Sequence, residues 1–170
     1  MFGLFKSKPA PEGPVPFEFT QQVNCSAAEL YRMVDFADEN CWKKQVGSVD
    51  ATGEKSYRMV LDMCPDLAFD LNVLEEEPGK SYGYDCVIVP KTGRLERSIE
   101  GWQFDPRDDG GTDVTLVVIA EFDEGMTEKE WQGEVQMMGM AVHNALMKFK
   151  IHAEMGTDAI REIEAQQMVA

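Results

Sequence analysis

The sequence predicts an α+β fold: a curved antiparallel sheet of about seven strands wrapped on one long C-terminal helix, with two short helices after the first strand. Two observations carry this. From Val46 to Asp123 apolar and polar residues alternate with a period of two, and turn residues punctuate the run. That is the pattern of half-buried strands joined by short turns, which pair antiparallel. After Thr127 the period becomes helical and holds for about 28 residues, or ~42 Å of helix. The chain has 170 residues, 44% of them hydrophobic and 28% charged. That is one domain of ordinary globular composition, not a disordered chain.

The elements follow in order. Residues 1–16 read as a flexible Pro-rich tail, because Pro9, Pro11, Pro14 and Pro16 oppose both helix and central strand. The apolar stub Met1-Phe2-Gly3-Leu4-Phe5, with Lys6 and Lys8 behind it, reads as a frayed terminus or a weak membrane or partner anchor. The folded domain is expected over residues 17–156. Phe17, Phe19, Gln21 and Val23 alternate with Glu18, Thr20 and Gln22, as in a strand. Ser26-Ala27-Ala28-Glu29 is a capping box opening a helix to about Asp35. A second, poorer helix is expected over Phe36–Lys44. Strands are then expected at 46–51 and 55–63 around Thr52-Gly53-Glu54, and from Leu67 to Glu77, closed by Pro78-Gly79. Tyr82, Tyr84, Cys86 and Ile88 lead to Pro90-Lys91-Thr92-Gly93, a hairpin signal. Arg94–Phe104 and Thr112–Phe122 complete the set. Thr127-Glu128-Lys129-Glu130 is a second capping box, opening the long helix to about Met155. Residues 157–170 read as a C-terminal tail or a short helix at about Ala159–Gln167.

Two apolar stripes run along the long helix. Trp131, Val135, Met138, Val142, Ala145, Leu146, Phe149 and Ala153 fall within about 100–120° of arc and are expected to face the sheet. Met137, Met140, Met147, Ile151 and Met155 fall nearly opposite. Residues from either terminus covering this second stripe, a homodimer seam through Met137, Met140, Met147 and Ile151, or scattered exposed methionines each explain it.

The charge excludes several functions. The chain carries 31 acidic and 16 basic residues, for a net charge of −15. It would be repelled by nucleic-acid phosphates and by anionic membranes. No apolar run approaches the ~20 residues that span a bilayer, so stable membrane insertion is not expected. Residues 45–125 hold 18 of the acidic residues. The sheet exterior is therefore expected to be acidic and to disfavour anionic ligands at any cavity mouth it borders. Cys25, Cys41, Cys64 and Cys86 show no CxxC spacing, and Met1–Lys8 does not make a signal peptide, so reduced thiols in a cytoplasmic protein are expected.

Motifs for chemistry are sparse. His143 and His152, nine residues apart on one helix, point roughly 180° away from each other and cannot share a metal. No metal or cofactor is expected, and no GxSxG, GxGxxG or GxxxxGK[ST] occurs. The strand Arg94–Phe104 is polar on both faces until Trp102. If Trp102 and Phe104 face the helix, Glu96, Ser98 and Glu100 share that face. If Leu95, Ile99 and Gly101 face inward, Arg97 is the inward polar group. A bulge near Gly101 would mix the two registers. Carboxylates beside a cavity could serve as general acids, whereas on a solvated edge they form cross-strand ion pairs.

A strongly curved sheet gripping one helix either fills its interior or leaves an apolar cavity. Residues expected around that space are Phe69, Leu71, Tyr82, Tyr84, Trp102 and Phe104, with Leu116 and Val118 behind them. Trp131, Val135, Met138 and Val142 would close it from the helix, and Glu100 would be its polar group.

The order of elements resembles the helix-grip superfamily, which includes START lipid-transfer domains, the birch pollen allergen and bacterial polyketide cyclase/dehydrase-like proteins. Val23-Asn24-Cys25-Ser26-Ala27-Ala28-Glu29-Leu30-Tyr31 resembles its first strand entering its first helix, and Trp42 falls in the second. Gly101-Trp102-Gln103-Phe104-Asp105-Pro106 followed by Gly110-Gly111-Thr112-Asp113-Val114 resembles its last hairpin. The likeness covers about residues 17–153. It implies a cavity for a hydrophobic molecule such as a lipid, quinone or polyketide, and it transfers no catalytic residue. Three functions remain open. The first is a carrier of a hydrophobic small molecule. The second is a cyclase or dehydratase using Glu96, Glu100, Arg97, Tyr82 or Tyr84. The third is an interaction module using the Met-rich helix face.

Overall fold

Alternation builds seven strands: β1 (Val15–Val23), β2 (Gly47–Ala51), β3 (Ser56–Leu61), β4 (Ala68–Glu77), β5 (Ser81–Val89), β6 (Leu95–Pro106) and β7 (Thr112–Phe122). Helices α1 (Ala27–Val34) and α2 (Trp42–Gln45) lie between β1 and β2, and α3 (Glu128–Met155) and α4 (Thr157–Val169) follow the sheet. The computed structural model describes residues 8–169; the stub Met1-Phe2-Gly3-Leu4-Phe5 lies outside them. All neighbouring strands pair antiparallel, in the order β1-β7-β6-β5-β4-β3-β2. The expected sheet, its two short helices and its long helix are all present.

Some boundaries differ from the sequence reading. β1 begins at Val15, not Phe17. Pro16 is tolerated there because β1 pairs only with β7 and is an edge strand, where a missing N–H need not break a ladder. Residues 8–10 lie along the start of α3: Glu128 N–H donates to the Lys8 carbonyl at 2.8 Å, and Ala10 N–H to the Met126 carbonyl at 3.1 Å. The second helix is only Trp42–Gln45, not Phe36–Lys44. Upstream of it, Asp35 accepts from Ala37 N–H (2.9 Å) and Asp38 from Asn40 N–H (2.7 Å), so side-chain turns replace helix.

Both capping boxes form as read. At Gly156, φ is +89°, a backbone region that favours glycine. The chain turns there, and α4 folds back onto α3 with Ile160 fully buried. Lys148 of α3 meets Glu164 of α4 at 3.6 Å, both largely withdrawn from water.

The interior is filled unevenly. Tyr31 of α1 packs edge-on against Tyr82 and Phe104, and Phe36 packs against Tyr57, Tyr82 and Tyr84. These rings plug the end of the sheet nearest α1. The buried side chains of α3 are Val142, Leu146 and Phe149, all in its C-terminal half. Phe149 sits 4.8 Å from Trp102 and 6.0 Å from Trp42, measured between ring centroids. On the opposite side of α3, Met137 and Met140 are each 59% exposed, whereas Ile151 packs against the chain's own core. The second stripe is therefore divided, and Ile151 is not free to join the four-residue seam considered above. The outer face of the sheet is laced with ion pairs, including bidentate Arg58–Asp70 and Arg97–Glu121.

Two outcomes follow from this packing. Phe149→Ala should lower unfolding free energy by about 3–5 kcal/mol, the usual cost of removing a fully buried phenyl ring. Urea denaturation measures it, and a loss below ~1 kcal/mol would contradict the anchoring role. His152 gives the second. Its ring lies 5.9 Å from Trp42, and its Nδ1 is buried without a hydrogen-bond partner among the described residues. Burial, then the nearby Lys43, hold its pKa below the usual 6.5. The unfolded chain then binds the extra proton first, so stability falls as pH drops below ~6.5 and levels off beneath the folded pKa. His152→Phe should flatten that part of the stability–pH curve, and an unchanged slope would contradict this.

Candidate functional site

Between the concave face of the sheet and the middle of α3 lies a cavity of about 220 Å³. Its floor is Met59 and Leu61 of β3, Phe69 and Leu71 of β4, and Cys86 and Ile88 of β5. Leu116 and Val118 of β7 continue it, and Met138, Ala141, Val142 and Ala145 of α3 form its roof. The packing already described accounts for the space. Phe149 pins the C-terminal half of α3, and α1 with Phe36 fills only the near end of the sheet.

The register of β6 decides which polar groups enter. A bulge falls between Leu95 and Arg97, not near Gly101. It lets Leu95 reach the cavity together with Ser98 and Glu100, while Glu96 turns outward to pair with Lys91 at 2.6 Å. Glu96 therefore leaves the inward set that the first register assigned it to. Arg97 is also outside, paired with Glu121. Of the acid/base residues considered from the sequence, only Glu100 and Tyr84 meet at the cavity. The Tyr84 hydroxyl donates to Glu100 Oε2 at 2.7 Å, and the Ser98 hydroxyl donates to Oε1 at 3.2 Å. Trp102 Nε1 reaches the Tyr84 oxygen at 3.5 Å. Burial, then the Glu100 charge, push the Tyr84 pKa well above 10. The phenol thus stays protonated and remains a donor.

One wall residue escaped the sequence reading. Lys43, on the four-residue α2, lines the same cavity. Its Nζ lies 4.0 Å from the centroid of the Trp42 ring, a cation–π contact that uses none of its three N–H donors. Among the described residues no oxygen accepts from it. Burial pushes its pKa down, and the nearby Lys148 adds to that, while Glu100 and Glu164 oppose it. The adjacent Trp42, packed on Phe149, was the available signal: it orients α2 so that the next residue faces the cavity.

The residues read from the sequence divide. Phe69, Leu71, Tyr84 and Glu100 line the cavity, as do Leu116, Val118, Met138 and Val142. Tyr82, Trp102, Phe104, Trp131 and Val135 do not. Tyr82 is held in the aromatic plug, its hydroxyl accepting from Phe36 N–H at 3.2 Å, and Phe104 packs on Tyr31. Trp102 packs against Phe149 with the rings tilted by 51°. Trp131 sits in the first turn of α3 and borders a separate surface cleft formed with Pro9–Gly13 and Phe122–Met126. Val135, one turn further on, is only half-buried and is not on the cavity wall. Among the described residues no group of three His, Cys, Asp or Glu side chains is placed to hold a metal ion, and no helix is long and apolar enough to cross a membrane. All four cysteines are free.

No protein-family model matches this sequence, and no curated protein matches it. Solved structures do. Ara h 8.0201 matches at 12% identity with a TM-score of 0.60, over 82% of this chain and 99% of that one. The di-domain ARO/CYC StfQ from the steffimycin biosynthetic pathway matches at 17% identity with a TM-score of 0.61, over 83% of this chain and 51% of that one. This chain thus spans about half of StfQ. The Aha1 dimer from Colwellia psychrerythraea matches at 11% identity with a TM-score of 0.57, over 84% of this chain and 98% of that one. Identities this low speak to architecture, and the architecture agrees with strand order, short helices and C-terminal helix alike: the chain has the helix-grip fold.

Proposed function

We propose that this chain binds a small apolar molecule carrying at least one oxygen, in the cavity between the sheet and α3. The observation that carries the reading is the wall itself: apolar side chains from five strands and α3, interrupted by Lys43 of α2 and by the Tyr84–Glu100 pair across β5 and β6. Mostly apolar linings with a few fixed polar groups are how ligand sites combine affinity with orientation. Lys43 offers donors to a ligand oxygen. Helix-grip proteins with ligand cavities, and the ARO/CYC proteins among the structural matches, support the same reading.

The volume bounds the ligand. A dry protein cavity of ~150 Å³ takes up benzene. At about 220 Å³ this one suits a substituted single ring or a short chain. Most ligand sites are ~300–1,000 Å³, so a lipid, a quinone or a larger polyketide would require the flexible Met59 and Met138 to move aside. A second reading, catalysis of a cyclisation or dehydration in this cavity, is favoured by one observation, the carboxylate and phenol of Glu100 and Tyr84 hydrogen-bonded at its wall.

Organic extraction and mass spectrometry of the purified protein should yield an apolar molecule. Benzyl alcohol should raise the melting temperature in a dose-dependent way, as expected for any ligand of the folded state. Ala145→Phe, which fills the cavity from α3, should weaken that binding at least about tenfold while the protein stays folded. A clean extract together with no benzyl alcohol response would overturn the proposal.

A further inference from the structure

We infer that Lys43 is a nucleophilic amine that condenses with small apolar aldehydes to form an imine inside the cavity. The inference rests on the binding reading above, because the aldehyde must first enter the cavity.

The lysines of the described residues differ in what they touch. Lys8, Lys55, Lys80 and Lys91 each meet a carboxylate on the surface. Lys148 meets Glu164, Lys150 meets Glu154, and Lys44 donates to the Asp38 carbonyl at 3.1 Å. Lys129 has no such partner but stands exposed in the first turn of α3, where water solvates it. Lys43 alone combines three features: it faces an apolar cavity, it lacks an oxygen partner, and it shares that cavity with a carboxylate and a phenol. A lysine becomes a nucleophile when its surroundings favour the neutral amine, through desolvation or a neighbouring cation. Both act here: burial is the larger influence, and Lys148 is the cation. The opposing influences are Glu100, Glu164 and Cys41, with the Trp42 ring face also favouring the ammonium.

The chemistry balances without any oxidant. The Nζ lone pair forms a bond to the carbonyl carbon, and the carbonyl π pair moves to oxygen. A proton from nitrogen reaches that oxygen, giving a carbinolamine. The nitrogen lone pair then forms the C=N bond as the C–O bond breaks, and the oxygen leaves as water after taking one more proton. Loss of the last N–H proton gives the neutral imine, so aldehyde plus amine equals imine plus water. Glu100, with the Tyr84 hydroxyl bonded to it, is the group on the wall able to pass protons in the dehydration step.

The test uses the whole protein, benzaldehyde as probe and sodium cyanoborohydride to trap imines, with labelled lysines found by peptide mass mapping. At neutral pH Lys43 should be labelled at least about tenfold faster than Lys129, because burial favours its neutral amine and the cavity holds the aldehyde beside it. Its labelling should also persist to lower pH than that of Lys129. Excess benzyl alcohol should suppress the Lys43 label and leave Lys129 unchanged. Lys43→Arg keeps the positive charge but has no amine able to condense. It should lose the Lys43 label while Lys129 is labelled as before. If benzyl alcohol binds but Lys43 reacts no faster than Lys129, the imine is overturned and the cavity reading stands. If benzyl alcohol does not bind and Lys43 is not preferred, both are overturned.

Discussion

One helix cannot cover the concave face of a seven-stranded sheet, and how α3 is pinned decides what remains uncovered. Phe149 is the pin. Wedged between Trp102 of the sheet and Trp42 of α2, it holds the C-terminal half of α3 down. The helix is stiff, so its earlier turns cannot bend into the sheet to meet the wall. Trp131 and Val135 consequently stay half-exposed, and the space under Met138 to Ala145 stays open. The same contact fixes α2. Trp42 cannot leave the core without exposing a large ring, and with Trp42 held, Lys43 is presented to the cavity.

The charges around this space form two separate systems. On the convex face, acidic and basic side chains meet across strands in exposed pairs, each worth little in stability because water screens them. Inside, Lys43, Glu100 and Tyr84 act where water is scarce, and interactions there are correspondingly stronger. An exterior as acidic as this one repels anions at a distance. The interior offers both a donor in Lys43 and acceptors in Glu100, a combination suited to a neutral molecule with a polar oxygen.

The sheet and α3 were legible in the sequence because their signals are local and repeated. Strand alternation from Val46 onward, and the two capping boxes at Ser26 and Thr127, depend on neighbours within a few residues. The cavity wall was legible in part, because alternation assigns a face to Phe69, Leu71, Leu116 and Val118 without knowledge of the fold. What failed depended on distant partners. The bulge between Leu95 and Arg97 shifts a register that alternation alone treats as continuous, and so misplaces Glu96. Trp131 carries the periodicity of the sheet-facing stripe, but it borders a separate cleft beside Phe122 and Met126. The Asp35 and Asp38 turns dissolve the helix expected from Phe36. Lys43 was missed because its one signal, the neighbouring Trp42, gives a direction only once Trp42 is packed on the distant Phe149.

Methionine methyl groups offer the most direct measurement of the central claim, that the space between the sheet and α3 is a ligand cavity. Met59 and Met138 line it, whereas Met137 and Met140 stand exposed on the far side of α3. With ¹³C-methyl methionine and benzyl alcohol as the titrant, the account predicts saturable chemical-shift changes at Met59 and Met138 and none at Met137 and Met140. Shifts confined to Met137 and Met140, or no saturable shift at any methyl, would contradict it.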